Sequence, residues 1–322
     1  MERIIYRDTR KMKTCLISLD DVHEDSFYVK DGQAFLLDGS PFIYDSSIGN
    51  SIYRNIWSIP MVYGGYYQNF HKNQNKIDNF DVILVFCDKL RSLSKLDNLR
   101  NIYKGSLIIS TIKENSPDYF LDKFRCRFLN SCDIITIPYS NYLCEKVSKV
   151  LNRKVYSLPY PYDVHRLRKL YYKNILDRED SILDRNNFSR PDRGFELSRE
   201  FSSKLSSLLS FKIELGNKDF NLHNWMTLLS NTKICVNMDP LREIGQVPIE
   251  CAILGILHVG GNLDAAHDLF PETIGNNFDE LSEVIPTFLK DKDYFNRVFE
   301  RVTQRHDFNS FKSKLDKIIN DK

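Results

Sequence analysis

The alternation of short apolar runs with longer helical patterns is the feature that most constrains the fold of this chain. In the first half, the candidate strands are residues 14–19, 34–38, 42–46, 81–86, 106–111, 133–138 and 155–159. Most of them are continuous hydrophobic runs, which is typical of parallel strands covered by helices on both faces. Helical patterns lie at 51–70 and at 139–153, the second with Ser140 as its predicted N-cap. The chain is therefore predicted to be α/β.

A second alternation follows the segment 160–174. Its candidate strands are 181–186, 211–216, 233–237 and 256–261, and its helical patterns are 194–209, 221–231 and 247–255. The residues from 279 to 322 are charged and helical in pattern. We predict an N-terminal domain at 1–163, a second domain at 164–300, and a helical tail at 301–322 that can return to the first domain. Two such domains in tandem imply a ligand cleft between the carboxyl ends of their sheets.

Composition excludes several classes of protein. The length of 322 residues suits one large or two ordinary domains, and the net charge of +2 does not indicate a nucleic-acid binder. No apolar run is long enough to span a bilayer, and no secretion signal is visible, so we expect a cytoplasmic protein. The seven cysteines are scattered and form no Cys-x-x-Cys pair, which favours buried thiols over disulfides or a zinc site.

The loop at 184–194 is the first candidate for ligand binding. It follows a predicted strand, opens a predicted helix, and carries Arg185, Arg190, Arg193 and Gly194. A helix N-terminus offers backbone N–H groups to an anion, and guanidinium groups add forked hydrogen bonds to phosphate. Alternatively, the loop is a solvated surface in which the arginines pair with neighbouring acids.

The stretch 237–261 is the second candidate. After a strand it runs through Gly245, Gln246 and Val247 into an apolar helix, predicted to begin near Val247–Pro248, with Glu250 in its first turn. A carboxylate there can accept two hydrogen bonds from vicinal hydroxyls such as those of a ribose. Gly245 would let a ligand approach the backbone closely. Alternatively, Glu250 only neutralises the helix terminus.

These residues carry a family resemblance. The segment 239–261 resembles the donor-binding signature of GT-B-fold glycosyltransferases of group 1, the retaining, family 4-like type. That signature has two glutamates separated by seven residues, and here Glu250 matches the second while Arg242, followed by Glu243, stands at the first. Segments 132–163, 184–201 and 278–302 are similar to further parts of the family. The resemblance implies two Rossmann-like domains facing across a cleft.

The resemblance also implies a reaction. A sugar would move from a nucleotide-diphosphate sugar to an acceptor hydroxyl, with retention of configuration, and with no metal or other cofactor. The implied donor-binding residues are Arg185, Arg190, Gly194, Gly245, Gln246, Val247 and Glu250. The catalytic candidates are Arg193, Arg242, Glu243 and His23, the last lying after the first strand, where a general base could sit.

The acceptor is left open by the sequence. The N-terminal domain should hold it, and Asn50 and Arg54 are candidates to contact it. A glycan or a small molecule fits, and the basic runs 3–13 and 165–173 keep a modified DNA base in consideration. Two alternatives to transfer remain: a nucleotide-sugar epimerase on the same fold, and a non-catalytic nucleotide-sugar binder.

Overall fold

The computed structural model describes residues 12–20, 26–31, 33–41, 58–63, 65–70, 74–87, 90–112, 126–138, 140–185, 194–216, 222–240 and 244–321. These residues fall into two compact units. The first contains the described residues up to Tyr162 together with residues 308–321, and the second contains Asp163–Asp307.

The first unit is built on one sheet, with eight strands in the described part of the chain. They are β1 (Thr14–Ser18), β2 (Phe27–Lys30), β3 (Gln33–Leu36), β4 (Tyr66–Asn69), β5 (Val82–Cys87), β6 (Leu107–Ile112), β7 (Ile134–Ile137) and β8 (Val155–Ser157). The order is β3-β2-β4-β1-β5-β6-β7-β8, parallel except for β2, which runs antiparallel to both neighbours. Strands β5 and β6 are buried along their whole length, as expected for parallel strands covered on both faces.

Before residue 163, the α-helices in the described part of this unit are α1 (Ile59–Tyr63), α2 (Leu96–Ile102) and α3 (Asn141–Leu151). Ser140 is the N-cap residue of α3, as predicted. The prediction of one helix over 51–70 was wrong, because among the described residues of this range Ile59–Tyr63 form α1 and Tyr66–Asn69 form β4, which pairs with β1 and β2. Aromatic residues suit a pleated surface, and this pairing decides their conformation. Residues 42–57, which include the strand predicted at 42–46, lie outside the described ranges.

The second unit has a parallel sheet whose described strands are β9 (Ser181–Asp184), β10 (Lys212–Leu215), β11 (Ile234–Val236) and β12 (Leu257–Val259). Their order is β10-β9-β11-β12. The chain therefore moves outward from β9 to β10 and then crosses back over β9 to β11. Right-handed crossovers in opposite directions place the connecting helices on opposite faces of the sheet.

The helices of the second unit are α4 (Val164–Tyr171), α5 (Phe195–Leu209), α6 (Leu222–Asn231), α7 (Gln246–Leu254), α8 (Asp264–Leu269), α9 (Phe278–Lys290) and α10 (Lys292–His306). Helix α5 packs on β9, β10 and β11, and α9 packs on α5. Helix α7 contacts α4, α6, α8, α10 and β12, and every residue from Pro248 to Leu254 is buried. An apolar helix without a polar face is stable only in such an enclosed position.

Two arginines hold the carboxyl end of α7. Buried Arg178 donates from Nη1 to the Gly255 carbonyl at 2.7 Å and from Nη2 to the Leu254 carbonyl at 2.5 Å. Arg168 donates from Nη1 to the Ile253 carbonyl at 3.0 Å. Burial lowers the pKa of Arg178 to about 10, so the side chain is still a cation near neutral pH. These guanidinium groups satisfy carbonyls that the helix itself leaves unpaired.

The last helix, α11 (Phe308–Asn320), belongs to the first unit. It contacts α1, and Lys154 forms an ion pair with Asp321 at 2.5 Å. All seven cysteines are buried and none forms a disulfide, which confirms the expectation of buried thiols. In the portion of the chain described here, no helix combines the length and the apolar character needed to cross a bilayer.

Replacing Arg178 with methionine should destabilise the second unit. The substitution leaves buried carbonyl oxygens at the end of α7 without donors, and we expect a cost of about 3 kcal/mol in the free energy of unfolding. Urea unfolding followed by tryptophan fluorescence measures it. Arg166→Met, on the exposed side of α4, is the control and should change stability by no more than ~0.5 kcal/mol. Equal effects of the two substitutions would contradict the capping role.

His258 should make the second unit sensitive to acid. Its side chain is fully buried against Phe270, and neither ring nitrogen has a hydrogen-bond partner within the described residues. Burial lowers the pKa of His258 to about 3. The unfolded chain takes up a proton near pH 6.5 while the folded chain does not, so stability is lost as pH falls from 6.5 towards 3, by about 2 kcal/mol at pH 5.

The measurement is urea unfolding at pH 7 and at pH 5. His258→Leu should lose about 2 kcal/mol less between the two pH values than the unchanged chain. His223→Leu, at an exposed position on α6, is the control and should keep the original pH dependence. The same pH dependence in both variants would exclude His258 as its source.

Candidate functional site

The carboxyl edge of the second sheet brings together residues from several strands. Asp184 and Val259 are both in register with Val236, so the chain leaves β9, β11 and β12 at one level. Arg185 follows β9 directly, and its backbone N–H donates to the Val236 carbonyl at 2.9 Å. Strand order reverses between β9 and β11, and in open α/β sheets such a reversal opens a ligand-binding crevice at the carboxyl edge.

The loop after β11 is fixed against the start of α5. Gly194, the N-cap residue of α5, has a φ of +71°, and a Cβ there would lie 2.1 Å from the Met238 carbonyl oxygen. The backbone N–H of Met238 donates to the Ser198 Oγ at 2.9 Å. Glycine is thus required at position 194 by its backbone conformation and by close packing.

The start of α7 lies at the same edge of the sheet. The helix begins at Gln246, one residue earlier than predicted, and Glu250 is its fifth residue, so the expectation that Glu250 lies in the first turn was wrong. Gly245 has a φ of +80°, and a Cβ there would lie 2.8 Å from the Leu263 Cβ. That packing explains the glycine, and its use in ligand approach stays a prediction. Gln246 and Val247 form the partly exposed first turn.

Glu250 is enclosed and bonded to an indole. Its side chain is 1% exposed, and Trp225 Nε1 donates to its Oε2 at 2.6 Å. Hydrogen bonds to an ionised carboxylate are shorter and stronger than those between neutral groups. Trp225 lies on α6 and is itself buried. The carboxylate predicted to accept hydrogen bonds from vicinal hydroxyls is therefore covered in this structure.

The face of the same indole ring lies beside a cation. The guanidinium of Arg185 lies 5.0 Å from the centroid of the Trp225 ring. An aromatic face is electronegative and attracts cations, whereas the edge that carries the N–H is electropositive and attracts anions. Trp225 therefore joins two residues of the predicted donor site, one at the end of β9 and one in α7.

Asp184 is a further acidic residue at this edge. It is fully buried, and neither carboxylate oxygen has a hydrogen-bond partner among the residues described. Burial raises the pKa of Asp184 to about 6, although the charge of Arg199 acts in the opposite direction. A buried carboxyl group with a raised pKa beside a crevice is typical of functional sites.

The structure places six of the predicted site residues in this region. They are Arg185, Gly194, Gly245, Gln246, Val247 and Glu250. The others lie outside the described ranges, and their roles stay predictions: His23, Arg190, Arg193, Arg242 and Glu243. Sequence reasoning did not select Asp184 or Trp225. The position of Asp184 at the end of an apolar strand was an available signal, but the helical pattern around Trp225 indicated only a buried face.

Comparisons with known proteins give matches at the level of structure. No family model matches the chain. No curated protein matches its sequence either.

Several solved structures match the fold, and glycosyltransferases are among them. An α-glucosyltransferase in complex with UDP and a 13-mer DNA containing a central A:G mismatch covers 96% of this chain and 99% of its own, with a TM-score of 0.57 and 12% identity. The trehalose-6-phosphate synthase OtsA covers 74% of this chain and 72% of its own, with a TM-score of 0.54 and 10% identity. The N-terminal domain of Candida albicans trehalose-6-phosphate phosphatase covers 75% and 70%, with a TM-score of 0.55 and 13% identity.

Structural matches at such low sequence identity establish the fold alone, and the activity has to be inferred from the site. Both units of this chain are α/β, each with parallel strands and helical crossovers, and the matched glycosyltransferases are built from two Rossmann-like domains. The chain therefore has the two-domain fold of the GT-B glycosyltransferases.

Proposed function

We propose that this protein is a glycosyltransferase that moves a sugar from a nucleotide-diphosphate sugar to an acceptor hydroxyl. The observation that carries the proposal is the grouping of Arg185, Trp225 and Glu250 at the carboxyl edge of the second sheet. That edge is where open α/β sheets bind nucleotides. A cation for phosphate and a carboxylate for ribose hydroxyls are the groups such a donor requires.

Glu250 is the proposed ribose ligand. A carboxylate has about four lone-pair positions, so it can accept hydrogen bonds from vicinal hydroxyls while keeping the one from Trp225. Because Glu250 is enclosed in this structure, the ribose would have to replace some of the atoms that cover it. This requirement makes donor binding directly sensitive to the side chain at position 250.

Charge stabilisation on the leaving diphosphate is the proposed catalytic contribution. Arg185 is a described cation that contacts the same indole as Glu250, and we propose that Arg190, Arg193 and Arg242 add to it. Fixed cations and helix N-terminal N–H groups stabilise a developing anion without rearrangement during the reaction. On this proposal the reaction proceeds with retention and without a metal, and Glu243 and His23 are candidates for the sugar and the acceptor.

A hydroxyl-bearing DNA base is the acceptor that the comparisons favour testing first. One matching structure is an α-glucosyltransferase in complex with UDP and a 13-mer DNA containing a HMU base. Related chains match the present one over 96% of its length. A glycan or a small molecule is the alternative acceptor, and the net charge of +2 is compatible with either class.

Incubation with UDP-glucose should release UDP slowly, and a suitable acceptor should accelerate the release. We expect the 13-mer DNA containing a HMU base to accelerate it in a saturable manner, because only that DNA presents a free base hydroxyl. The same 13-mer without the modified base is the control. A coupled assay for UDP and chromatography of the DNA together measure transfer.

The other outcomes distinguish the alternatives. Acceleration by oligosaccharides alone would assign a glycan acceptor. Interconversion of the donor sugar without release of UDP would indicate an epimerase. Saturable binding without turnover with any acceptor would indicate a non-catalytic binder. If UDP-, GDP- and ADP-linked sugars all fail to bind, the proposed function is wrong.

Glu250→Gln should weaken UDP binding about tenfold or more, which corresponds to ~1.4 kcal/mol. The amide can still accept the Trp225 N–H but has lost the charge that strengthens bonds from ribose hydroxyls. The measurement is the increase in unfolding temperature caused by UDP, which should be present in the unchanged chain and much reduced in the variant. Glu283→Gln, at an exposed position on α9, is the control and should respond to UDP like the unchanged chain.

A further inference from the structure

We infer that Trp225 is a positioning residue for the nucleotide-sugar donor, acting through both Glu250 and Arg185. The inference rests on the proposed function, because it assigns Trp225 to the same site. Trp225 carries no charge, so it would act by positioning the two charged residues. Its indole contacts both the predicted ribose ligand, Glu250, and the predicted phosphate ligand, Arg185.

The edge of the indole sets the direction of the Glu250 carboxylate. The indole N–H is a donor only, so it cannot exchange roles with the carboxylate oxygen it meets at 2.6 Å. Both side chains are at least nine-tenths buried, which keeps water from competing for this bond. The bond therefore holds one oxygen of Glu250 in place and restricts the rotation of the carboxyl group.

The face of the indole sets the position of the Arg185 side chain. The backbone of Arg185 is tied to β11 through the Val236 carbonyl, but a long side chain has many rotamers. Attraction to the ring, with the guanidinium carbon 5.0 Å from its centroid, selects rotamers that keep the cation beside the indole that binds Glu250. A guanidinium ordered in advance loses less entropy when it binds phosphate.

The hydrogen-bond partner of Trp225, Glu250, argues against a purely structural role for the tryptophan. A tryptophan in a core helix can satisfy its N–H with a backbone carbonyl or at the surface. Here the partner is the single charged residue of α7, a helix whose other residues from Pro248 to Leu254 are apolar. Replacing that pair with apolar side chains would cost a folded core little. The presence of a buried carboxylate bonded to an indole is explained by a ligand that uses the carboxylate.

Trp225→Phe tests the inference, because it keeps an aromatic face and removes the N–H. We expect it to weaken UDP binding about tenfold by isothermal titration calorimetry. Tyr294→Phe is the matched control. Tyr294 is a buried residue of α10 whose hydroxyl donates to Glu272 Oε2 at 3.4 Å, so the substitution also removes a donor from a carboxylate, and it should leave UDP affinity unchanged. In a Glu250→Gln background, Trp225→Phe should cost clearly less than tenfold, because residues that act through one another are not additive.

The two tryptophans of the chain allow a second measurement that keeps Trp225 in place. In a Trp57→Phe protein, all indole emission comes from Trp225, and UDP should change it in a saturable manner, with the same dissociation constant that calorimetry gives. If Trp225→Phe does not fold, this fluorescence measurement tests the inference instead.

Two results would overturn the inference while leaving the proposed function intact. In one, Trp225→Phe binds UDP as tightly as the unchanged chain while Glu250→Gln does not. In the other, UDP binds to the Trp57→Phe protein by calorimetry and leaves Trp225 emission unchanged. If the unchanged chain binds none of UDP, GDP and ADP, the proposed function fails and the inference fails with it.

Discussion

The burial of one carboxylate inside an apolar helix is the constraint on which the second unit depends. Helix α7 is surrounded by four other helices and a strand, and Glu250 is its only ionisable acid. A charge in such a place is tolerated only if polar partners are supplied within the same core. Trp225 on the neighbouring α6 supplies one, so the packing of α6 against α7 also positions the proposed donor-binding group.

The two ends of α7 have different surroundings. At its carboxyl end, Arg178 and Arg168 donate to three successive carbonyls, Ile253 to Gly255, which holds the helix rigidly. Its amino end begins beside the carboxyl edge of the sheet, where Gln246 and Val247 are partly exposed. A helix fixed at its carboxyl end would present its first N–H groups and Glu250 to the proposed donor in a reproducible geometry. Such rigidity is what a binding site requires.

The likeness to glycosyltransferases at 10–13% identity has a physical explanation. A parallel sheet with helical crossovers can be built from many apolar sequences, since volume and patterning matter more than residue identity. A ligand site is less permissive because it needs particular groups at particular places. The proposed sugar transfer therefore depends on Arg185, Trp225 and Glu250, and the shared fold only shows where such groups should lie.

Local patterns were enough to predict the α/β class, most strand positions and the helix that follows Gly194, because continuous apolar runs and capping residues act over a few residues. They also selected Glu250, as an acid within an apolar helix, and Arg185, in an arginine-containing loop before a helix. The strand at residues 66–69 could not be predicted in this way, since its conformation depends on pairing with β1 and β2. The tertiary structure alone revealed the buried state of Asp184 and the bond between Trp225 and Glu250, 25 residues apart in the chain. Contacts of that kind arise from the packing of helices against one another, which local sequence patterns do not encode.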